Sequence, residues 1–132
     1  MMAKISFDLV SPENLVFSDD AGMIIVPGKD GDIGILPGHS KVISSLRSGR
    51  VMIYDEDRNL LKSFFVSGGF VEINPEKCIV LAESVNDMSE LDKSAIEKQI
   101  QDILKSNTDN ANDKINIAKD KLEALNASFY LK

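Results

Sequence analysis

From Ile5 to about Ala82 the chain is a series of short apolar runs broken by turn residues. Ile5-Ser6-Phe7-Asp8-Leu9 alternates apolar and polar side chains as a half-buried strand does, and Pro12 ends that ladder by removing a donor. Leu15 to Phe17 predicts a second strand, and Met23 to Val26 a third that closes at Pro27-Gly28. Val51 to Tyr54 and Leu60 to Val66 flank the polar run Asp55 to Asn59, which suits a hairpin loop. Phe70 to Ile73 and Cys78 to Leu81 flank a second connection at Asn74-Pro75-Glu76-Lys77. The spacing leaves no room for helical crossovers, so residues 1–86 are expected to form a mostly antiparallel β-sandwich or flattened barrel. Phe7, Phe17, Phe64, Phe65 and Phe70 lie in or beside these strands and read as core packing, not as a platform for stacking bases.

The period changes near Asn86. Ser89, with Asp92 three residues on, approximates a capping box, and Leu91, Ala95, Ile96, Ile100, Ile103 and Leu104 then recur at helical steps. The polar stretch Asn107 to Asn112 suits a loop or a new cap, after which Ala111, Ile115, Ala118, Leu122 and Leu125 form a second stripe. Two amphipathic helices joined by a short link predict an antiparallel αα-hairpin over residues 87–132. Its narrow apolar stripes make it less securely cored than the β-domain, so a movable, regulatory hairpin hinged at Ala82 to Ser89 is chemically reasonable.

Composition sharpens this outline. The 132 residues carry a formal charge of −6, which argues against general nucleic-acid binding, and 43% of them are hydrophobic, enough for a true core. Apolar windows such as Met23 to Val26 fall far short of the roughly 20 residues needed to cross a bilayer, so no direct membrane insertion is expected. Met1 to Val10 lacks the apolar core of a secretion signal. Cys78 is the chain's one cysteine, and its setting, Cys-Ile-Val-Leu, suits a buried strand better than redox chemistry.

Candidate chemistry is sparse. Gly31 to His39 reads Gly-Asp-Ile-Gly-Ile-Leu-Pro-Gly-His, without the Gly-Lys-Ser/Thr ending of a phosphate loop. Gly31, Gly34 and Gly38 read instead as positions for turns or close backbone contact, with Pro37 fixing part of the path. His39 is the sole histidine, Asp30 and Asp32 give no zinc spacing, and Ser40 beside it makes no catalytic pair. Asp55, Glu56 and Asp57 read as a solvated turn, since a calcium loop needs a longer ligand pattern ending in Glu. Lys93, Lys98, Lys105, Lys114, Lys119 and Lys121 are interleaved with Glu97, Asp102, Asp120 and Glu123, as on a solvated helical face. Catalytic residues and metal ligands are therefore both expected to be absent.

The combined pattern resembles the epsilon subunit of bacterial F-type ATP synthases over nearly the whole chain. The residues that carry this are Gly31 to His39, Leu46-Arg47-Ser48-Gly49, Phe65-Val66-Ser67-Gly68-Gly69-Phe70-Val71-Glu72 and Val80-Leu81-Ala82-Glu83. The resemblance implies a non-catalytic central-stalk subunit, peripheral on the cytoplasmic face of the bacterial inner membrane. Such a subunit joins gamma to the c-ring and couples ion flow to ATP synthesis. It implies contacts with gamma or the ring at Gly31, Asp32, Gly34, Ile35, Leu36, Pro37, Gly38 and His39, with Asp32 toward the ring and His39 toward gamma. It also implies a C-terminal hairpin that can oppose ATP hydrolysis, with regulatory contacts at Leu91, Asp92, Lys98, Lys119 and Lys121 and conformational contacts with alpha and beta. Sensor forms of the family hold ATP through an apolar-Asp-x-x-Arg-Ala segment; here Leu91-Asp92-Lys93-Ser94-Ala95-Ile96 has Ala95 in the arginine place. Ile117 and Lys121 stand where sensor forms carry further arginines, so the resemblance implies no cofactor and at most weak ATP binding. The competing reading is a free ligand-binding β-sandwich with a helical dimerisation hairpin, which leaves the correlated loop signatures unexplained.

Overall fold

The computed structural model describes residues 4–106 and 111–126. Ten strands come first: β1 (Ile5–Val10), β2 (Leu15–Ala21), β3 (Met23–Gly28), β4 (Gly31–Ile35), β5 (Val42–Leu46), β6 (Gly49–Tyr54), β7 (Leu60–Val66), β8 (Gly69–Ile73), β9 (Lys77–Ala82) and β10 (Val85–Asp87). A short 3-10 turn, Met88–Glu90, leads into α1 (Lys93–Ser106), and α2 (Ala111–Asn126) packs along it.

Hydrogen bonding runs in the order β10-β7-β6-β3-β5-β8-β9-β1-β2, with β4 added beside β3. The path turns at one point, where Gly28 of β3 pairs with Leu46 of β5. On one side lies the layer β4-β3-β6-β7-β10, and on the other β5-β8-β9-β1-β2. Between them sits the core, built from alternate residues such as Phe7 and Leu9, Ile24 and Val26, Val51 and Ile53, Phe64 and Val66, and Val71 and Ile73. Phe17 closes the far side, its ring 5.7 Å from Phe64 and 6.1 Å from Phe7. The ladders are antiparallel except that of β1 with β9, where Ser6 to Val10 run parallel to Lys77 to Leu81.

The strand pattern extends beyond the expected one. β2 continues to Ala21, β3 runs through Pro27 and Gly28, and β4, β5 and β10 join the sheet where no strand was expected. Pro27 is tolerated because its carbonyl still accepts the Arg47 N–H at 2.9 Å, while the N–H it lacks falls near the strand end. Phe70 leaves the expected core: it shares a face with Glu72 and is 56% exposed, while Val71 and Ile73 point inward. Phe65 is buried, but on the outer face of β7, opposite Arg50 of β6.

The helical start also differs. Asp87, not Ser89, caps the 3-10 turn, its carboxylate accepting from the Ser89 N–H at 3.0 Å and hydroxyl at 2.8 Å. Asp92 then caps α1 by accepting from the Ser94 N–H at 3.0 Å. The box expected between Ser89 and Asp92 cannot form because Asp87 has already engaged Ser89. Of the loop expected over 107–112, residues 107–110 lie outside the described residues, and Ala111 and Asn112 already belong to α2.

Candidate docking and regulatory site

The Gly31 to His39 run is not one spot on the surface. Gly31 and Asp32 open β4 beside the β3–β4 turn, where Arg47 holds Asp32 with an ion pair of 2.5 Å and also donates to the Gly28 carbonyl. The strand then carries the chain roughly 10 Å to Ile35, at about 3.3 Å per residue. Ile35 is fully buried, so it anchors the ridge from inside and offers no side chain to a partner. Gly34 is exposed, and nothing lies within 4 Å of the place its Cβ would take, so neither a turn nor a close approach explains it.

Leu36 to His39 forms a separate turn at the other end of β4. Its Gly38 has φ of 85°, a conformation costly for any side chain, and the Gly38 N–H donates to the Pro75 carbonyl at 2.9 Å. His39 donates through Nδ1 to the Ser40 carbonyl at 2.7 Å, and its backbone N–H donates to the Leu36 carbonyl at 3.1 Å. The turn is thus pinned to the β8–β9 connection, with Leu36 exposed and Pro37 half-buried.

Beyond that turn lies a surface the sequence reading missed. The outer face of β5, β8 and β9 presents Ile43 at 75%, Phe70 at 56% and Leu81 at 51% exposure. Phe70 sits directly opposite Leu81, Ile43 is diagonal to Phe70, and Val10 lies beside Leu81 in the parallel ladder. Four apolar residues on neighbouring strands make a continuous patch, unlike scattered single exposures.

The opposite outer face is covered. α2 packs against β6, and Met52, Tyr54 and Phe65 are wholly buried there, outside the core between the layers. Burial raises the Tyr54 phenol above its ordinary pKa against the opposing pull of Arg50, and its hydroxyl donates to the Met52 sulfur at 3.5 Å. Lys121 of α2 places its ammonium 5.9 Å from the centre of the Phe65 ring. On the same helix Asp120 has a raised pKa, first through burial and then through Glu123, with Arg47 working against both.

The residues expected in a regulatory site are dispersed. Leu91 is half-buried, Lys98 of α1 and Lys119 of α2 are exposed, and Lys121 faces the sandwich. Two residues apart on a helix is about 200° of rotation, so Lys119 and Lys121 cannot serve one anion. The Asp92 carboxylate is engaged as a helix cap. These side chains do not fit an ATP-sensing site. Among the described residues no three His, Cys, Asp or Glu side chains converge as a metal-binding group, and no helix is long and apolar enough to cross a membrane.

The fold is a β-sandwich with an exposed apolar patch on one outer face and a helical hairpin on the other. Residues 4–87 match the family model described as the β-sandwich domain of the ATP synthase delta/epsilon chain. An ATP synthase epsilon chain of Parvibaculum lavamentivorans is 40% identical over 126 residues, covering 95% of both chains. One from Rhodospirillum centenum is 43% identical over 107 residues, covering 78% of this chain and 73% of that one. A chain in a structure of the Euglena gracilis mitochondrial ATP synthase assembly of OSCP, F1 and c-ring shares the fold, with a TM-score of 0.78 at 19% identity over 98% of this chain and 84% of that one. The chain belongs to the ATP synthase epsilon family, whose members are non-catalytic subunits of the rotary synthase.

Proposed function

We propose that this chain joins the gamma subunit to the c-ring of a rotary ATP synthase, with residues 1–86 as the fixed attachment and residues 87–132 as a movable regulatory element. The observation that carries this is the patch of Ile43, Phe70, Leu81 and Val10 on an otherwise acidic chain. An apolar sheet face of this kind needs a partner, and torque transmission needs a broad, well-packed contact more than a shifted pKa. Gamma is its occupant, with Leu36 to His39 extending the contact at one end. The polar β3–β4 turn, with Asp32 held by Arg47, faces the ring. The bacterial relatives support a position on the cytoplasmic face of the inner membrane.

In the structure the hairpin lies on the sandwich. Its regulatory action is to leave that face, extend beside gamma and meet alpha and beta, opposing hydrolysis. No ATP binding is assigned to it.

Cysteine crosslinking in the assembled synthase tests the docking. Cys78 is fully buried and its thiol is pushed up to about 12, so it will not compete with introduced cysteines. Cysteines at positions 32, 39 and 70 are expected to join the ring, gamma and gamma respectively, and Phe70→Asp is expected to weaken co-isolation with gamma at least tenfold. A Phe70→Asp chain that co-isolates normally, with no crosslink from position 70, would overturn the assignment. A stable complex of the free chain with a small ligand would favour the competing ligand-binding module.

A further inference from the structure

We propose that Arg50 is a clamp for the hairpin, a β6 side chain that binds the backbone of α2 and so makes this contact only while the hairpin lies on the sandwich. This rests on the reading of the hairpin as movable, and it names the residue that sets how readily it moves.

The Arg50 guanidinium donates to the backbone carbonyl of Ala124 in α2 at 3.4 Å. Arg50 is 7% exposed and Ala124 5%, so both groups have left water to meet. A second guanidinium nitrogen donates to the Ser63 hydroxyl of β7 at 3.5 Å, which fixes the side chain from the sheet side. Beside it Phe65, the cross-strand partner of Arg50, takes the Lys121 ammonium over its ring. When the hairpin lifts, the guanidinium and the carbonyl must both be rehydrated, so the contact weights the docked state alone.

Chemistry makes the clamp specific to arginine. The planar fork reaches Ala124 and Ser63 together, whereas lysine keeps the charge but offers one compact donor group. Losing a charge-assisted bond between buried residues predicts a rise of about tenfold in the opening equilibrium.

The test uses the full chain and two readouts. Amide hydrogen exchange along α2 reports lifting of the hairpin, and labelling of the buried Cys78 thiol reports opening of the sandwich. In the natural sequence α2 is expected to open more often than Cys78 becomes reactive. Arg50→Gln is expected to raise α2 opening about tenfold with Cys78 labelling unchanged, Arg50→Lys to fall between, and Lys121→Ala to move the same amides in the same direction. If Arg50→Gln and Arg50→Lys leave α2 exchange within about twofold of the natural chain, the clamp is overturned. A parallel rise in Cys78 labelling would overturn it differently, by making Arg50 a general packing residue. If α2 of the natural sequence opens only together with Cys78, it is the movable hairpin that fails.

Discussion

A Cβ added at Gly69 would sit 2.0 Å from the Leu81 carbonyl oxygen, on a backbone with φ of 126°, whereas one added at Gly34 would meet nothing within 4 Å. Gly69→Ala is therefore expected to cost at least about 2 kcal/mol in urea unfolding, and Gly34→Ala to be neutral or to stabilise by about 0.5 kcal/mol. Sequence alone does not separate the two glycines, because the neighbour that forbids a side chain at Gly69 lies on β9. Charges give a second test at this scale. Asp8 is held below its ordinary pKa by the Ser18 hydroxyl and then Lys77, Asp55 by the Asn59 N–H, and Asp87 by Lys62 and then Ser89. A carboxyl depressed in the folded state adds stability above its unfolded value, and that stability disappears as pH falls through the folded value. Stability is thus expected to drop below about pH 4, and Asp8→Asn and Asp87→Asn to flatten that drop in urea midpoints compared between pH 5 and pH 3.

Among the elements, β6 and β8 show what the sequence reveals and what it hides. Glu72 must face water, and Phe70 shares its parity, so the outward turn of Phe70 was available from the alternation alone. Counting aromatic residues as core obscured it. Val51 to Tyr54 is apolar without a break, the mark of a strand covered on both faces, but nothing local says that α2 supplies the second cover. β4 and β5 were hidden because glycine and serine dilute their pattern, and pairing to β3 and β8 makes them strands. On α2 the raised pKa of Asp120 has the opposite sign to the sandwich carboxyls: its charged form disfavours docking at neutral pH, and protonation relieves this as pH falls through the raised value. Asp120→Asn is expected to raise α2 amide protection factors at pH 7, and mild acidification to raise them, beyond the slowing of intrinsic exchange, in the natural chain but not in the variant. Deleting the α1 cap with Asp92→Ala is expected to cost about 1 kcal/mol, seen as faster exchange in the first turn of α1.

At the scale of the molecule, the core between the layers is closed without the helices. A chain ending at Asp87 is expected to fold, but with Met52, Tyr54 and Phe65 exposed where α2 had covered them. Met52 and Phe65 each lose about 1.5–3 kcal/mol of burial, so the shortened chain is expected to bind hydrophobic dyes and self-associate, and Met52→Thr with Phe65→Thr to restore a monomer in sedimentation. The two-part organisation was legible in the change of period near Asn86. The docking of one part on the other was not, since the stripe on α2 does not say which face of the sheet it meets.

The parallel ladder of β1 with β9 bears on how the chain is made. β1 leaves the ribosome just ahead of β2 and finds it at once through a local turn, but its other neighbour, β9, arrives only after six further strands have been synthesised. Until Lys77 to Leu81 emerge, one edge of that first hairpin stays open. Closure of the sandwich is therefore a late, long-range event in biosynthesis. The nascent chain passes through a stage at which an open strand edge is the feature most in need of a chaperone.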